Sequence, residues 1–206
     1  MREKINANRM ELLNRKKRLV IARKGHKLLK DKQDELVRQF MNMVRGYRTL
    51  REQVENGLSQ AFQGLVLART TMSRETVEES LLGSKEMVDV AISFRSLMNV
   101  RIPELALSGK PDVFSYGFTE TSADLDRSLL LFSETMPLLI ELAQVERQIE
   151  LLAAELERTR RRVNALEYML IPDLEESIKN ISMRLSEMER SFLTNLIKIK
   201  DIIRGH

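Results

Sequence analysis

Apolar residues recur every three or four positions along the first third of the chain. Starting at Leu12 and stepping alternately three and four residues, the series reaches Ala68 through seventeen positions, of which twelve are apolar and two are glycine. A heptad pattern held over more than the usual three or four repeats indicates coiled coil. No proline interrupts it. The pattern therefore predicts one long helix within residues 1–72.

Small residues occupy the last four positions of this series: Gly57, Ala61, Gly64 and Ala68. A glycine inside a helix costs about 1 kcal/mol relative to alanine, so its presence needs a reason. One interpretation is that the buried face shifts to the neighbouring large residues Leu58, Phe62 and Leu65. The other is that a second helix approaches closely at the small residues. The sequence leaves both open.

A second apolar series runs from Leu138 to Ile202 and predicts a long helix within residues 121–206. The segment TSAD, residues 121–124, is typical of the start of a helix, with a capping hydroxyl followed by acids. Between Leu166 and Ile178 the steps are all four residues, which locally unwinds a left-handed supercoil. Pro172 lies inside this stretch, and we expect it to kink the helix.

The middle segment, residues 73–120, has a different pattern. Apolar and polar residues alternate over Val88–Phe94 and again over Asn99–Pro103, which predicts a β-hairpin at about 88–102 with its turn at Arg95–Met98. Two glycines and a proline between Gly109 and Gly117 indicate a loop. The predicted fold is therefore all-α: a long antiparallel two-helix coiled coil with a short β-hairpin insert in the middle of the chain.

The composition supports no catalytic chemistry. There are no cysteines and only two histidines, and no glycine-rich phosphate-binding loop is present. We expect His26 to be a packing residue, and we predict no metal, no cofactor and no enzymatic activity. No uninterrupted apolar run approaches the roughly 20 residues of a membrane span, and the first ten residues lack the apolar core of a secretory signal. We therefore expect no direct membrane insertion.

Charge is unevenly distributed. Residues 1–30 hold eleven lysines and arginines against two glutamates, although the net charge of the whole chain is only +4. Antiparallel folding would bring the run Arg15–Arg18 close to the basic C-terminal run Lys198–Arg204. This basic tip is either a solvated helix surface or a contact for an anionic partner. Aromatic residues do not interleave with the basic ones, so stacking on nucleic-acid bases is not supported.

Two long blocks of sequence resemble a known family. The block NRMELLNRKKRLVIARKGHKLLKDKQDELVRQF, residues 8–40, and the block RTRRRVNALEYMLIPDLEESIKNISMRLSEMERSFLTNLIKIK, residues 158–200, resemble the opening and closing helices of the D subunit of the V-type/A-type rotary ATPases. The resemblance implies a non-catalytic central-stalk rotor subunit. It would couple ATP hydrolysis or synthesis in the catalytic A/B hexamer to ion translocation by rotation.

The resemblance also implies partners and a location. The partners would be the A and B catalytic subunits, the F subunit and the membrane-side funnel subunit of the rotor, with one copy of this chain per complex. The complex would lie on the cytoplasmic face of the membrane. Candidate contacts with the catalytic hexamer are basic residues: Arg15, Lys16, Lys17, Arg18, Arg158, Arg160, Arg161, Arg162, Lys198 and Lys200. Candidate hairpin contacts are apolar residues: Val90, Ile92, Phe94, Val100 and Ile102.

Two alternatives remain open at this point. The arginines at 160–162 could instead pair with nearby acids along one helix: Glu155, Glu157 and Glu167. The protein could also be a stand-alone coiled-coil binding or adaptor protein that uses its basic tip. Salt-dependent binding to DNA or RNA without an ATPase partner would favour that second function.

Overall fold

The computed structural model describes residues 8–82, 88–109, 113, 114, 116, 117 and 121–204. The elements in chain order are α1 (Arg9–Thr71), α2 (Arg74–Leu82), β1 (Asp89–Leu97), β2 (Val100–Ser108), α3 (Ala123–Ala165), a π-helical turn (Leu166–Leu170) and α4 (Ile171–Arg204). The predicted fold class, an all-α coiled coil with a hairpin insert, is confirmed. The structure adds α2 and the π-helical turn, neither of which the sequence pattern predicted.

The chain forms two compact units. The terminal unit combines Met1–Asp34 with Glu157–His206, and the central unit is Glu35–Leu156. This grouping differs from the three consecutive segments proposed from the sequence, 1–72, 73–120 and 121–206, because each unit takes residues from both long helices. The three-part division remains a prediction about domain organisation.

The helices run antiparallel in each unit. In the terminal unit, Arg9 of α1 pairs with Glu189 of α4 at 2.5 Å, and Arg23 pairs with Glu175 at 2.6 Å. Residue numbers thus rise along one helix while they fall along its partner. In the central unit the Ser128 hydroxyl of α3 donates to the Ala61 carbonyl oxygen of α1 at 2.7 Å.

The predicted apolar series forms the buried seam of α1. None of its seventeen positions is fully exposed, and five are buried: Ala22, Leu36, Val54, Ala61 and Ala68. The prediction for the other long helix holds only in part. Its apolar positions as far as Leu185 are at least partly buried except Leu170, whereas those from Met188 onward are exposed. The terminal part of α4 therefore presents apolar side chains to solvent.

The small residues of α1 mark a close approach of two helices. A Cβ added at Gly57 would lie 2.7 Å from the Thr135 hydroxyl oxygen, and one added at Gly64 would lie 3.2 Å from the Ser128 Cβ. Phe62, which a shifted seam would bury, is 52% exposed. Of the two interpretations left open by the sequence, close approach is therefore correct for this region.

The hairpin is longer than predicted, and its turn lies elsewhere. The strands pair from Asp89 opposite Ser108 to Leu97 opposite Val100. Met98 and Asn99 both have positive φ, 52° and 68°, as a two-residue type I′ turn requires. The predicted turn at Arg95–Met98 is wrong because Arg95 and Ser96 continue an exposed strand, where polar side chains carry no penalty.

The tip of the hairpin packs against the helices of the central unit. Val100 and Ile102 form a buried cluster with Leu36 of α1 and Leu152 of α3. Two glutamines of α3 hold the backbone of β2 beside this cluster. Gln148 donates to the Pro103 carbonyl oxygen at 2.8 Å, and the backbone N–H of Leu105 donates to Gln144 Oε1 at 2.7 Å. Apolar packing and backbone hydrogen bonds together fix the hairpin to α3.

A difference of one residue between the paired helices explains the π-helical turn. Seven steps of the predicted series take α1 from Leu12 to Leu36, 24 residues, whereas seven steps, one of them through the exposed Leu170, take the other helix from Leu156 to Ile181, 25 residues. A single inserted residue is what a π-helical turn accommodates. The backbone N–H of Ile171 accordingly bonds to the Leu166 carbonyl oxygen, and Pro172, which has no N–H, follows directly.

One helical stretch reaches the composition of a membrane span. Among the described residues, Ala123–Arg204 contains a window with a mean hydropathy of 1.3. Counting only uninterrupted apolar runs in the sequence did not reveal this window, and the absence of direct membrane insertion stays a prediction. Only 11% of this window is buried, although α3 contacts α1 through Ser128 and Thr135.

We predict opposite effects for the same glycine substitution at two positions of α1. Gly46→Ala should raise the free energy of unfolding by about 0.5–1 kcal/mol, because no atom lies within 4 Å of the added methyl group. Gly57→Ala should lower it by about 1–3 kcal/mol, because the methyl group meets Thr135. Urea denaturation of both variants measures this, and equal effects would contradict the close approach.

We predict that the π-helical turn disappears when the extra residue is removed. Deletion of Tyr168, which is 71% exposed, should leave the seam in register and change the free energy of unfolding by less than about 1 kcal/mol. Deletion of the exposed Arg147 is the control. It shifts Gln148 and Leu152 out of register and should cost about 2–5 kcal/mol. Denaturation curves that show equal losses would refute the one-residue account.

We predict that the two strands of the hairpin differ in their contribution to stability. Ile102→Ala should lower the free energy of unfolding by about 2–5 kcal/mol, because Ile102 is fully buried. Ile92→Ala, on the exposed strand, should change it by less than about 0.5 kcal/mol. Chemical denaturation followed by circular dichroism compares them, and a larger loss at Ile92 would invalidate the packing described for the hairpin.

Candidate interaction surfaces

The polar side chains of the described residues do not form a metal-binding cluster. Within those ranges no group of three or more His, Cys, Asp and Glu side chains could hold a metal ion. His26 lies partly buried on α1, with its Nε2 3.3 Å from Glu167 Oε2 of the π-helical turn. Its position is that of a packing residue at the helix interface.

Among the described residues, two groups have strongly shifted pKa values, and both shifts have a structural cause. Hydrogen bonds from Arg38 and Gln39 on the same helix lower the pKa of Glu35 to about 2. Burial, together with a 2.6 Å hydrogen bond to Asp126, raises the pKa of Tyr116 well above its usual value. Glu35 thus stays ionised and Tyr116 neutral at physiological pH, which suits local stabilisation rather than proton transfer.

The arginine cluster at the end of α3 is exposed to solvent. Arg158, Arg160, Arg161 and Arg162 are all exposed or nearly so, and none is buried. Arg161 lies 3.4 Å from Glu157 one turn earlier, and that pair is itself exposed. No ion pair involves Arg158, Arg160 or Arg162 within the part of the chain that the structure describes. Ion pairing with an acid of the same helix, the alternative left open by the sequence, is therefore observed for only one of these four arginines, Arg161.

The basic run near the start of α1 divides into two environments. Lys16, Lys17 and Arg18 are exposed. Arg15 lies on the seam, where its side chain is 12% exposed and donates to Glu11 at 2.9 Å. The first three are thus open to a partner, whereas Arg15 already serves the packing of the terminal unit.

The last candidate basic residues lie on the exposed end of α4. Lys198 and Lys200 are exposed, and so are the isoleucines beside them: Ile197, Ile199, Ile202 and Ile203. The terminal unit therefore presents a mixed apolar and basic helix end beyond the level of Arg9.

The five candidate residues of the hairpin do not form one surface. Val90, Ile92 and Phe94 of β1 are exposed, by 43%, 63% and 55%. Val100 and Ile102 are buried against the helices. Period-two alternation places residues of each strand on two faces, but it does not say which face a helix covers. Arg101 stacks over the Phe94 ring at 4.4 Å, so the exposed face is apolar with a cationic edge.

One surface was missed by sequence reasoning. At the π-helical turn three consecutive large side chains are exposed: Tyr168, Met169 and Leu170. Two of them line an open groove of about 640 Å³ together with Ala165, Leu166 and Asp173. The four-residue spacing and Pro172 signalled an irregular helix here, but not an exposed groove.

The fold and these surfaces define an antiparallel coiled-coil protein with a hairpin insert. A sequence model of the ATP synthase D-subunit family matches residues 11–201. The chain is 48% identical to the D subunit of the V-type ATP synthase of Acetivibrio thermocellus over 204 residues, covering 97% of this chain and 92% of that protein. It is 45% identical to the corresponding protein of Fusobacterium nucleatum, covering 98% and 97%.

A third relative is the D subunit of the V-type ATP synthase of Thermoanaerobacter sp. strain X514. It is 47% identical over 201 residues, covering 97% of this chain and 96% of that protein. These matches extend far beyond the two blocks in which the resemblance was first seen. The chain belongs to the ATP synthase D-subunit family.

Proposed function

We propose that this chain is the central-stalk rotor subunit of a V/A-type rotary ATPase. The observation that carries the proposal is the family match over residues 11–201, with relatives named as D subunits of V-type ATP synthases. In this role the chain couples ATP hydrolysis or synthesis in the catalytic A/B hexamer to ion translocation across the membrane. It performs no bond-breaking itself.

The packing of the helices supports a mechanical role. A rotor that transmits torque needs two helices that turn together. In the terminal unit the pairs Arg9–Glu189 and Arg23–Glu175 join the helices across the seam. In the central unit Gly57 and Gly64 bring the backbones into close contact with Thr135 and Ser128. Close packing of this kind resists sliding of one helix along the other, since side chains already touch.

The exposed surfaces supply the contacts that the role requires. The arginines Arg158, Arg160, Arg161 and Arg162 would meet carboxylate or carbonyl groups of the A and B subunits, as would Lys16–Arg18 and Lys198 with Lys200. Val90, Ile92 and Phe94 would form the partner contact of the hairpin. Val100 and Ile102 are withdrawn from that set because they are buried.

The rotor role also implies which other subunits this chain assembles with. The F subunit and the membrane-side funnel subunit would complete the rotor, with one copy of this chain per complex on the cytoplasmic face of the membrane. We expect no direct membrane insertion, since the apolar window of α3 and α4 belongs to a helix that packs against α1. No cofactor or nucleic acid is required.

We predict that this chain co-purifies with A, B and F subunits at one copy per three A/B pairs when they are expressed together. In the assembled complex, the double variant Arg161→Ala/Arg162→Ala should turn over ATP about tenfold more slowly than wild type. The reason is that a hydrogen bond to a charged group contributes about 1.5 kcal/mol. Arg147→Ala with Arg184→Ala is the matched control on exposed positions and should leave turnover unchanged.

Two results would count against the proposal. Absence of the chain from the purified complex would refute the rotor role, and salt-dependent nucleic-acid binding would then favour the adaptor function. Assembly with unchanged turnover and coupling in the arginine variant would remove the arginines from the mechanism while leaving the rotor role intact.

A further inference from the structure

The outer edge of β1 carries backbone groups that face away from β2. The backbone N–H of Leu105 on β2 donates to Gln144 of α3, so it points away from β1. Because Leu105 lies opposite Ile92, these two residues form a cross-strand pair that exchanges no hydrogen bonds. The N–H and C=O groups of Ile92 therefore point outward. Such pairs alternate along an antiparallel ladder, so the backbone groups of Val90 and Phe94 point outward as well.

Nothing in the part of the chain that the structure describes covers this edge. The residues from Asp89 to Ser96 are all exposed, and no backbone hydrogen bond joins them to a segment other than β2. The other edge of the sheet differs, because Gln144 and Gln148 of α3 bond to β2. Natural edge strands are commonly protected by proline, lysine or a bulge, and β1 has none of these. An unprotected edge of nine residues can accept a further strand.

The side chains of β1 complement those of a second β1 strand. When two copies pair antiparallel with Ile92 opposite Ile92, Val90 of each copy lies opposite Phe94 of the other. All three residues are exposed and belong to one face of the strand, because they alternate with the rest. Since their backbone groups face outward, they are also the residues that must exchange hydrogen bonds in a new ladder. The pairing would thus form hydrogen bonds and bury apolar side chains in the same register.

The opposite face of β1 carries a matching pair of charges. In the same register Asp89 of one copy lies opposite Arg95 of the other, and this contact occurs twice because of the two-fold symmetry. Moving the second copy by two residues places Asp89 opposite Ser93 or Leu97 instead, so the charge contact is lost. Arg95 already lies 3.2 Å from Glu104 on β2, but its side chain remains 59% exposed and can meet a second carboxylate. The charges therefore favour one register.

We propose that the free chain forms a two-fold dimer in which the β1 strands of two copies pair about Ile92 and make one four-stranded sheet. A second copy is the occupant because it supplies the apolar residues and the charges in the order that the edge requires. The segment Asp89–Arg95 of each copy gives an interface smaller than the roughly 1,200 Å² of stable complexes, so the dimer should be weak. The dimer goes beyond the rotor role, in which one copy enters each complex. It would keep the edge from other strands before assembly.

Analytical ultracentrifugation of the purified full-length chain tests the dimer. The mass should rise from that of a monomer to that of a dimer between about 1 and about 200 µM, as expected of a small interface. Ile92→Pro removes only an outward N–H and should raise the dissociation constant by about tenfold or more. Pro103 on β2, opposite Phe94, shows that the ladder tolerates a proline at such a position. Ile92→Thr keeps the N–H and a β-branched side chain, and it should change the constant less than about threefold.

Two charge-reversal variants test the register. Asp89→Lys places a lysine opposite Arg95, and Arg95→Glu places a glutamate opposite Asp89. Each variant alone should therefore dimerise about tenfold more weakly than wild type. Mixed together, they should form a heterodimer with about wild-type affinity, because both contacts become oppositely charged again. The double variant Asp89→Lys/Arg95→Glu should recover self-association for the same reason. Both positions are exposed, so circular dichroism should match wild type in every case.

Each contrary result would overturn the proposal. A chain that stays monomeric throughout this concentration range does not form the dimer. A dimer that Ile92→Pro leaves unweakened uses another surface. Wild-type self-association of the single charge variants, or no heterodimer in their mixture, refutes pairing with Asp89 opposite Arg95. Should Ile92→Pro lose secondary structure, the charge variants decide alone. The rotor function is tested separately, by co-purification with the other subunits.

Discussion

The packing of two antiparallel helices along one seam is the constraint on which the rest of the structure depends. Every position of the first seam is at least partly buried, and its small residues bring Gly57 and Gly64 against Thr135 and Ser128. Glycine lowers helix propensity, so these positions weaken α1 in isolation. The two glycines are favourable only because the backbone of a second helix approaches there. The pair of helices, and not α1 alone, is therefore the stable unit.

The same constraint explains the irregular elements. Because the second helix uses 25 residues where α1 uses 24, regular α-helix on both sides would place its side chains out of register. The π-helical turn at Leu166–Leu170 absorbs the difference just before Pro172. The hairpin similarly depends on the pair, since its buried tip residues pack against one side chain from each helix, Leu36 and Leu152.

The features that could be predicted from the sequence are those encoded in the spacing of its apolar residues. Heptad spacing identified both long helices and the buried face of α1, and alternation identified a hairpin. It misplaced the turn because β1 is exposed on both faces, so no buried face marks its end at Leu97. It also missed the buried polar residues Ser128, Thr135 and Thr159. Side chains of this size enter a seam only where the partner helix is close, and that is a property of two segments together.

The family relationship makes this chain a subunit of a V-type ATP synthase complex, and the exposed arginines and hairpin face are its proposed partner contacts. The most direct test of the underlying claim is the distance between α1 and α4 in the terminal unit. Because the chain has no cysteine of its own, spin labels attach only to the two introduced cysteines, Leu13→Cys and Met183→Cys. The separation of the two labels then reports the distance between α1 and α4. Paired helices predict a separation below about 25 Å, since interhelical axes lie about 8–10 Å apart. A separation above about 50 Å, twice that limit, would show that the helices do not pair.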